Sequence, residues 1–157
     1  MTNRCGALTV GEVSDESTFT DRIRGSGLRV TRPRVAVLEA VHSHPHADTD
    51  TIVGAVRSTL PDVSTQAVYD VLRALTTSRL IRRIQPSGHV ARYEARINDN
   101  HHHVVCRQCG TIGDVDCAIG EAPCLTPSND QGFVVDEAEV IYWGLCPDCS
   151  VIQSEPA

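Results

Sequence analysis

Hydrophobic residues recur at helical spacing through the first half of the chain. Phe19 and Ile23 lie four residues apart on one face of a first segment, and two more segments repeat the pattern after Thr31 and after Asp48 or Thr49. Thr and Asp accept hydrogen bonds from the free amides of a first helical turn. The pattern predicts three short helices. Residues 1–16 show no clear periodicity and are expected to form a flexible arm.

A fourth helix is predicted from Ser64 to about Arg79, and its two faces differ in kind. One face has the i, i+3, i+4, i+7 spacing of a buried stripe. It consists of Val68, Val71, Leu72 and Leu75. The other face presents Thr65, Gln66, Tyr69, Asp70, Arg73 and Thr77. Such side chains can read base edges in the major groove of DNA, and the alternative is an ordinary solvated face.

Two short β-like runs follow this helix, at residues 81–85 and 90–95, and the residues between them include Pro-Ser-Gly-His, a hairpin turn signal. Small helices followed by a hairpin describe a winged helix-turn-helix. The hairpin carries Arg82, Arg83 and Arg92. These arginines are expected to hold phosphates while the fourth helix sets the register on the bases.

The second half begins after a polar break, Asn98-Asp-Asn, which is the predicted domain boundary. Extended runs are predicted near residues 101–106, 111–115 and 134–143, with a helix within 116–125. We therefore expect a small α/β unit with a three-stranded sheet. The fold class as a whole is α+β.

Charge divides the chain at the same place. Residues 1–97 hold thirteen Arg against ten acidic residues, a net +3, and residues 98–157 hold one Arg against ten, a net −9, so that the total is −6. This asymmetry suggests that the first half meets a polyanion. No long apolar run and no leader with a cleavage site is visible, so neither membrane spanning nor secretion is indicated, and the cytoplasm is the expected location.

Seven cysteines include two Cys-x-x-Cys pairs, Cys106 with Cys109 and Cys146 with Cys149. An odd count in a cytosolic protein argues against a disulfide framework, and two such pairs indicate metal. Four thiolates make a closed tetrahedral Zn²⁺ site, which would be structural. The alternative is a redox dithiol pair or unligated knuckles. The other cysteines, Cys5, Cys117 and Cys124, lack such a frame and suit small hydrophobic positions.

Three consecutive histidines precede the first pair. On a strand, His101 and His103 share one face and His102 takes the other. Carboxylate ligands could come from Asp114 on the next strand or from Glu94 at the end of the hairpin. Imidazoles with carboxylates suit Fe(II), Mn(II), Co(II) or Zn(II), and ligand identity does not choose among them. The alternative for any one histidine is an ordinary surface residue.

Five motifs together resemble the ferric uptake regulator (Fur) family, and within it the actinobacterial FurA branch, over nearly the whole chain. They are Gly-Leu-Arg-Val-Thr-Arg-Pro-Arg (27–34), Ser-Thr-Gln-Ala-Val-Tyr-Asp-Val-Leu (64–72), Ala-Arg-Tyr-Glu (91–94), His-His-His-Val-Val-Cys-Arg-Gln-Cys-Gly (101–110) and Tyr-Trp-Gly-Leu-Cys-Pro-Asp-Cys (142–149).

The resemblance implies a homodimeric, metal-activated repressor of operator DNA with no small-molecule substrate. It implies a winged-helix DNA-binding domain over 17–97, a hinge at 98–100 and a dimerisation and metal-binding domain over 101–157. The implied targets are iron genes, oxidative-stress genes such as that for catalase-peroxidase, or both.

The family's two metal sites find a full set of ligands here. The regulatory site, for Fe(II) or a replacement by Zn(II), Mn(II) or Co(II), corresponds to His46, Glu94, His101, His103 and Asp114. The structural zinc site corresponds to Cys106, Cys109, Cys146 and Cys149. A further site matches only at His102 and Glu121, because Asn100 and Ala138 stand where relatives have His, and it is expected to be vestigial.

Two other classes of function compete with a regulator. A mononuclear metal enzyme could use two imidazoles and a carboxylate with an open position, but it would leave the polar helix face and the arginine-bearing hairpin unused. A zinc-ribbon adaptor would bind protein partners only. Footprinting of a promoter fragment, with metal and with chelator, separates the three.

Overall fold

A computed structural model of the chain describes residues 16–86, 89–97, 101–116, 129, 131–134 and 139–154. The elements are α1 (Glu16–Gly25), α2 (Arg32–Ser43), β1 (Ala47–Asp48), α3 (Thr49–Thr59), α4 (Thr65–Thr77), β2 (Arg82–Ile84), β3 (Arg92–Glu94), β4 (His101–Cys106), β5 (Ile112–Asp116), β6 (Ile141–Gly144) and α5 (Pro147–Ser154). No helix within these ranges is long and apolar enough to cross a membrane.

The starts of the central helices follow from their capping residues. The Asp48 carboxylate accepts a hydrogen bond of 2.9 Å from the amide of Thr51, and Ser64 Oγ accepts one of 3.1 Å from the amide of Ala67. Each bond satisfies a first-turn amide that has no partner within the helix. Thr31 occupies the N-cap position of α2 in an extended conformation. The predicted starts of α2, α3 and α4 are therefore confirmed.

One hydrophobic core joins the four N-terminal helices. The predicted stripes supply its most buried members, which include Ile23, Leu38, Val41, Ile52, Val56, Val68, Leu72 and Leu75. Val71, predicted on the stripe of α4, is only partly buried against this core. Because α4 buries one face in this core, its position relative to the other helices is set by packing.

The first sheet has the strand order β1-β3-β2, with both pairings antiparallel. β2 and β3 form the predicted hairpin, although residues 87 and 88 of its turn lie outside the described ranges. The two-residue strand β1 was not predicted. It pairs Ala47 with Tyr93 and Asp48 with Arg92. This pairing holds the segment after His46 against the strand that ends at Glu94.

The second sheet has the order β5-β4-β6, in which β4 runs antiparallel to β5 and parallel to β6. The prediction of a three-stranded sheet is confirmed, and its third strand is the short segment Ile141–Gly144. Helix α5, which contains Cys149, was not predicted. The helix predicted within 116–125 falls almost entirely on residues outside the described ranges, as do the arm before Glu16 and the hinge at 98–100.

The register of the second sheet sorts its side chains onto two faces. Alternation along the strands and the pairing in register place one set of side chains together. We call this the ligand-bearing face, and it comprises His101, His103, Val105, Ile112, Asp114, Asp116, Ile141 and Trp143. Ile84 of the first sheet packs in one cluster with Val105 and Ile112 of this face. The first sheet therefore lies against the ligand-bearing face of the second.

Candidate metal centre

Four predicted ligands from four segments meet between the two sheets. Each of His46, Glu94, His103 and Asp114 offers one ligand atom, and these atoms all lie within 4.8 Å of one another. His46 precedes β1, Glu94 ends β3, and His103 and Asp114 are register partners on β4 and β5. We call these residues the carboxylate–imidazole set.

Glu94 is the centre of this set. Its Oε2 atom lies 3.2 Å from His46 Nε2, 3.2 Å from His103 Nε2 and 3.3 Å from His101 Nε2. A carboxylate oxygen offers about two lone pairs, so three imidazoles around one oxygen exceed what hydrogen bonding can use. Within the described residues, Glu94 Oε1 is buried and has no hydrogen-bond partner. A divalent cation fits this arrangement because it would use both the converging nitrogens and the orphaned oxygen.

Asp114 closes the more open side of the set. Its Oδ1 atom lies 2.9 Å from His46 Nε2 and 3.8 Å from His103 Nε2, and its side chain is 30% exposed. Arg96, just beyond β3, lies 3.6 Å from Asp114 Oδ2 and donates to Asp116 Oδ1 at 2.9 Å. The guanidinium thus faces the oxygen of Asp114 that is turned away from the imidazoles.

His101 stands at the edge of the predicted site. It shares the ligand-bearing face with His103, as the alternation predicts, and their ring centroids are 4.9 Å apart. Its Nε2 atom reaches Glu94, but the residue is outside the four whose ligand atoms are all mutually close. Its role as a fifth ligand stays a prediction.

The backbone of His46 adopts an uncommon conformation. His46 has φ of +58°, in the left-handed region that non-glycine residues rarely adopt. Its carbonyl accepts a hydrogen bond of 3.0 Å from Arg92 Nη1. Such strain persists where the surroundings over-determine it, which is common at functional sites. Arg92, predicted as a phosphate contact, is therefore engaged inward on the loop that carries His46.

Two pKa shifts describe the set without a cation. Burial raises the pKa of Glu94, but hydrogen bonds from His103 and His46 and the nearby imidazole charges outweigh burial and lower it to about 2. Burial lowers the pKa of His46, yet its hydrogen bond to Glu94 and the charges of Asp114 and Glu94 outweigh burial, and the net pKa is raised. The geometry therefore favours an ionised Glu94 beside a proton-holding His46.

The four predicted thiols form a second cluster, which we call the thiol cluster. The sulfur atoms of Cys106, Cys109, Cys146 and Cys149 all lie within 4.8 Å of one another, and Cys109 Sγ is 3.7 Å from Cys146 Sγ. Hydrogen bonds from the backbone at Cys109 and Cys146 lower the pKa of Cys106 to about 6. The hydrogen bond shared with Cys146, followed by burial, raises that of Cys149 to about 12. Four sulfur ligands at these mutual distances suit tetrahedral Zn²⁺.

The predicted vestigial site at His102 and Glu121 stays a prediction. His102 is buried on the face opposite the ligand-bearing one, with its ring centroid 6.3 Å from that of Tyr142. Its predicted partner, Glu121, lies outside the described residues, as do Cys5, Cys117 and Cys124.

The predicted DNA-reading residues lie on an exposed face of α4. Thr65, Gln66, Tyr69 and Arg73 are all exposed. Arg57 of α3, which the sequence did not single out, donates to Thr65 Oγ1 at 3.0 Å. Within α4, Gln66 Nε2 donates a hydrogen bond of 3.1 Å to the carboxylate of Asp70.

A cleft of about 580 Å³ separates α4 from the hairpin, and Tyr69, Arg73 and Arg83 line it. Arg83 is exposed on β2 and donates to Gln85, whereas Arg82 is half-buried. The sequence could not indicate this cleft, because its walls come from separate segments.

Comparison with known proteins settles the family. The model of the "Ferric uptake regulator family" matches residues 25–142. The chain belongs to the ferric uptake regulator family. It is 72% identical over 133 residues to "Transcriptional regulator FurA" of Mycobacterium tuberculosis, an alignment that covers 85% of this chain and 90% of that protein. The resemblance to the FurA branch is thereby confirmed, and the chain is a transcriptional regulator rather than an enzyme.

Solved structures of the ferric uptake regulator family share this fold. That of the Helicobacter pylori ferric uptake regulator, described as having three functional metal binding sites, superposes with a TM-score of 0.67 at 20% identity, covering 90% of this chain and 97% of that one. A zinc uptake regulator complexed with zinc and DNA superposes with a TM-score of 0.63 at 18% identity, covering 88% and 95%. At these identities the likeness supports the α+β fold alone.

Proposed function

We propose that this protein is a metal-dependent transcriptional repressor that binds operator DNA as a homodimer. The observation that carries the proposal is the carboxylate–imidazole set, because its ligands come from both sheets. His46 and Glu94 belong to the first sheet and its preceding loop, and His103 and Asp114 belong to the second. In this proposal residues 17–97 form the winged-helix DNA-binding domain and 101–157 the dimerisation domain, with the hinge at 98–100.

The regulatory ion in the cell is proposed to be Fe(II), with Zn(II), Mn(II) or Co(II) as replacements. When bound, a divalent cation supplies a shared positive charge that joins the two sheets. His101 completes the set as a fifth ligand. The target genes are proposed to be those of iron metabolism or of oxidative-stress defence, such as catalase-peroxidase.

Metal binding to the carboxylate–imidazole set would fix the orientation of the DNA-binding half relative to the second sheet. Its ligands are mutually close only when the first sheet lies against the second, so the closed arrangement binds an ion more tightly than an open one. An ion can shift that equilibrium only by the difference between its two affinities. Moving the closed state from about 1% to about 99% requires a difference of about 5.5 kcal/mol. If operator half-sites fit only the closed dimer, metal and DNA strengthen each other's binding.

The thiol cluster has a separate role in this proposal. Four thiolates leave no open position on Zn²⁺, so the ion would be structural. It would join the turn after β4 to the start of α5, where the small cluster around Val105 and Ile112 supplies little core.

In this proposal α4 contacts the bases of the operator, and the arginines of the hairpin contact its phosphates. Gln66 and Arg73 offer hydrogen bonds to base edges, and Tyr69 offers an apolar edge to thymine methyl groups. Because Asp70 holds the amide nitrogen of Gln66, the amide oxygen of Gln66 is left to accept from a base. Arg83 is the hairpin arginine best exposed to a phosphate, while the inward contact of Arg92 gives that residue a supporting role.

Replacing Arg73 or Arg83 by Ala is expected to weaken operator binding in two different ways. Loss of a base contact at Arg73 should cost about 1–3 kcal/mol and relax preference at one base pair. Loss of a phosphate contact at Arg83 should weaken all sequences about equally and reduce the salt slope by about 1. Footprinting and titration of a promoter fragment, with Mn(II) and with chelator, measure both effects.

The matched control for these variants is Arg24→Ala, which removes an exposed arginine of α1 that pairs with Asp21. It should leave operator affinity unchanged. Full operator affinity in Arg73→Ala would show that α4 is not the reading helix. A wild-type footprint that is the same with metal and with chelator would refute metal dependence, and the absence of any footprint would favour an adaptor.

Metal binding is expected to release a proton from His46. Because the pKa of His46 is raised above the ordinary 6.5, the metal-free imidazole is protonated below that raised pKa, and a metal must displace the proton. Affinity should therefore rise with pH, by up to about tenfold per pH unit for one proton, until His46 is neutral. Glu94, with a pKa of about 2, is already ionised and contributes nothing to this rise.

Calorimetric titration with Mn(II) in buffers of different ionisation enthalpy counts the protons released. His46→Ala should bind Mn(II) more weakly and release correspondingly fewer protons, while its zinc content is unchanged. Equal proton release from His46→Ala and the wild type would remove His46 from the site.

A further inference from the structure

The hairpin touches the second sheet at a place apart from the carboxylate–imidazole set. Ile84, the last residue of β2, is 2% exposed, and its cluster lies on the ligand-bearing face rather than in the helical core. Val105 and Ile112 are the other buried members of that cluster, and Ile141 and Trp143 pack against it. An apolar side chain from one sheet thus completes the core of the other.

His89, in the hairpin turn, makes a second contact of this kind. Its ring stacks on the indole of Trp143 with centroids 6.2 Å apart and an interplanar angle of 29°. Arg107 also packs on Trp143, with its guanidinium carbon 5.4 Å from the ring centroid. The turn of the hairpin therefore lies beside the segment that carries Cys106 and Cys109.

Gly110 provides the space for His89. A Cβ atom at this position would lie 2.5 Å from His89 Nδ1, a distance that real Cβ contacts do not show. Gly110 also has φ of +72°, which favours glycine. Gly110, which follows the first thiol pair, therefore leaves room for the hairpin turn because it has no side chain.

These contacts are mechanically linked to the metal ligands. Glu94 pairs with Arg82, and Ile84 pairs with Arg92, so Ile84 and Glu94 belong to one small antiparallel ladder. On the second sheet, Trp143 pairs with Val105, and Ile141 pairs with the ligand His103. Docking of the hairpin and assembly of the carboxylate–imidazole set therefore both require the first sheet to lie against the second.

We propose that Ile84 and His89 are positioning residues for the metal response. By docking the hairpin on Trp143 and its cluster, they raise the fraction of molecules in which His46 and Glu94 lie within reach of His103 and Asp114. This inference rests on the proposed regulatory site, and it adds that hairpin docking sets the apparent metal affinity of that site. An apparent dissociation constant equals the intrinsic one divided by the competent fraction, so loss of docking weakens metal binding without loss of a ligand.

The test is His89→Ala in the full-length, zinc-loaded protein. Trp143 is the only tryptophan in the sequence, so its fluorescence reports the stack directly. We expect altered Trp143 emission and Mn(II) binding about tenfold weaker than in the wild type, as follows from a tenfold smaller competent fraction. At saturating Mn(II) the operator affinity should return to the wild-type value, which a general structural defect would not allow.

Val90→Ala is the matched control, because Val90 is the next residue of the same turn and is 59% exposed. It should change neither the Trp143 emission nor the Mn(II) affinity. Ile84→Val, a milder change than truncation to Ala, should weaken Mn(II) binding in the same direction with zinc content unchanged.

Two failures are distinguishable. If the wild type binds Mn(II), Glu94→Gln does not, and His89→Ala binds as tightly as the wild type, docking of the turn has no role and this inference is overturned. If Glu94→Gln binds Mn(II) like the wild type, the proposed regulatory site itself is wrong.

Discussion

Glu94→Gln is expected to abolish the metal response while leaving the fold and the zinc content intact. Three imidazole nitrogens lie within 3.3 Å of Glu94 Oε2. The side chain is 1% exposed, so solvent does not screen the loss of its charge. Gln has nearly the same shape but offers a neutral amide. Mixed nitrogen and oxygen sites depend on ligand charge, and we expect metal affinity to fall by at least about 100-fold. Mn(II) titration and operator binding with added metal measure the loss.

The control for this change is Asp116→Asn, which also removes a carboxylate from the ligand-bearing face. Asp116 is 88% exposed and pairs with Arg96 rather than with an imidazole, so its loss should alter metal affinity by less than about threefold, as for an exposed ion pair. Comparable losses in both variants would mean that the general negative charge of this face, rather than the converging geometry at Glu94, attracts the ion.

Local pattern was enough for features that depend on one segment. The division of the three histidines between two faces follows from the alternation of a strand, and β4 has it from His101 to Cys106. The caps at Asp48 and Ser64 are likewise local, because each side chain bonds an amide three residues on. The Cys-x-x-Cys pairs needed only their spacing to indicate the thiol cluster.

Features built by pairing across the chain were not visible in the sequence. His46 and Glu94 are 48 residues apart, and β1, which brings them together, is two residues long and has no periodicity to detect. The sequence offered Glu94 as one of two candidate carboxylates, but its central position among three imidazoles is a tertiary fact. Only the family resemblance pointed to His46. Similarly, a three-residue strand does not reveal whether Arg92 turns outward to a phosphate or inward to the His46 loop.

Helix α5 was missed for a different reason. The Cys146-Pro-Asp-Cys motif was interpreted only as a knuckle, yet Pro147 begins a helix that continues to Ser154. Pro is favoured in a first helical turn, where its missing amide has no partner to lose. The same four residues therefore carry both a helix-start signal and a metal-ligand signal, and only the metal-ligand signal was interpreted.

Cys106→Ser is expected to release the structural zinc and unfold the second half of the protein. Cys106 ends β4, and its sulfur lies with those of Cys109 in the following turn, Cys146 just before α5 and Cys149 within α5. The apolar cluster of this half has only Ile84, Val105 and Ile112 as buried members among the described residues, and Ile84 comes from the other sheet. Structural zinc contributes about 10–16 kcal/mol in zinc-finger peptides, far more than three buried aliphatic side chains at about 1.5–3 kcal/mol each.

The loss should therefore appear as zinc content falling to zero, loss of the dimer in size-exclusion chromatography and loss of a cooperative thermal transition for the second half. Cys5→Ser is the matched control, since Cys5 belongs to neither Cys-x-x-Cys pair, and it should retain zinc and the dimer. A folded, dimeric Cys106→Ser protein without zinc would mean that packing alone supports the second sheet. His103 and Cys106 share β4, so zinc loss is expected to disturb the carboxylate–imidazole set as well. If β4 stays folded without zinc, the position of His103 depends on packing and on the docking of the hairpin instead.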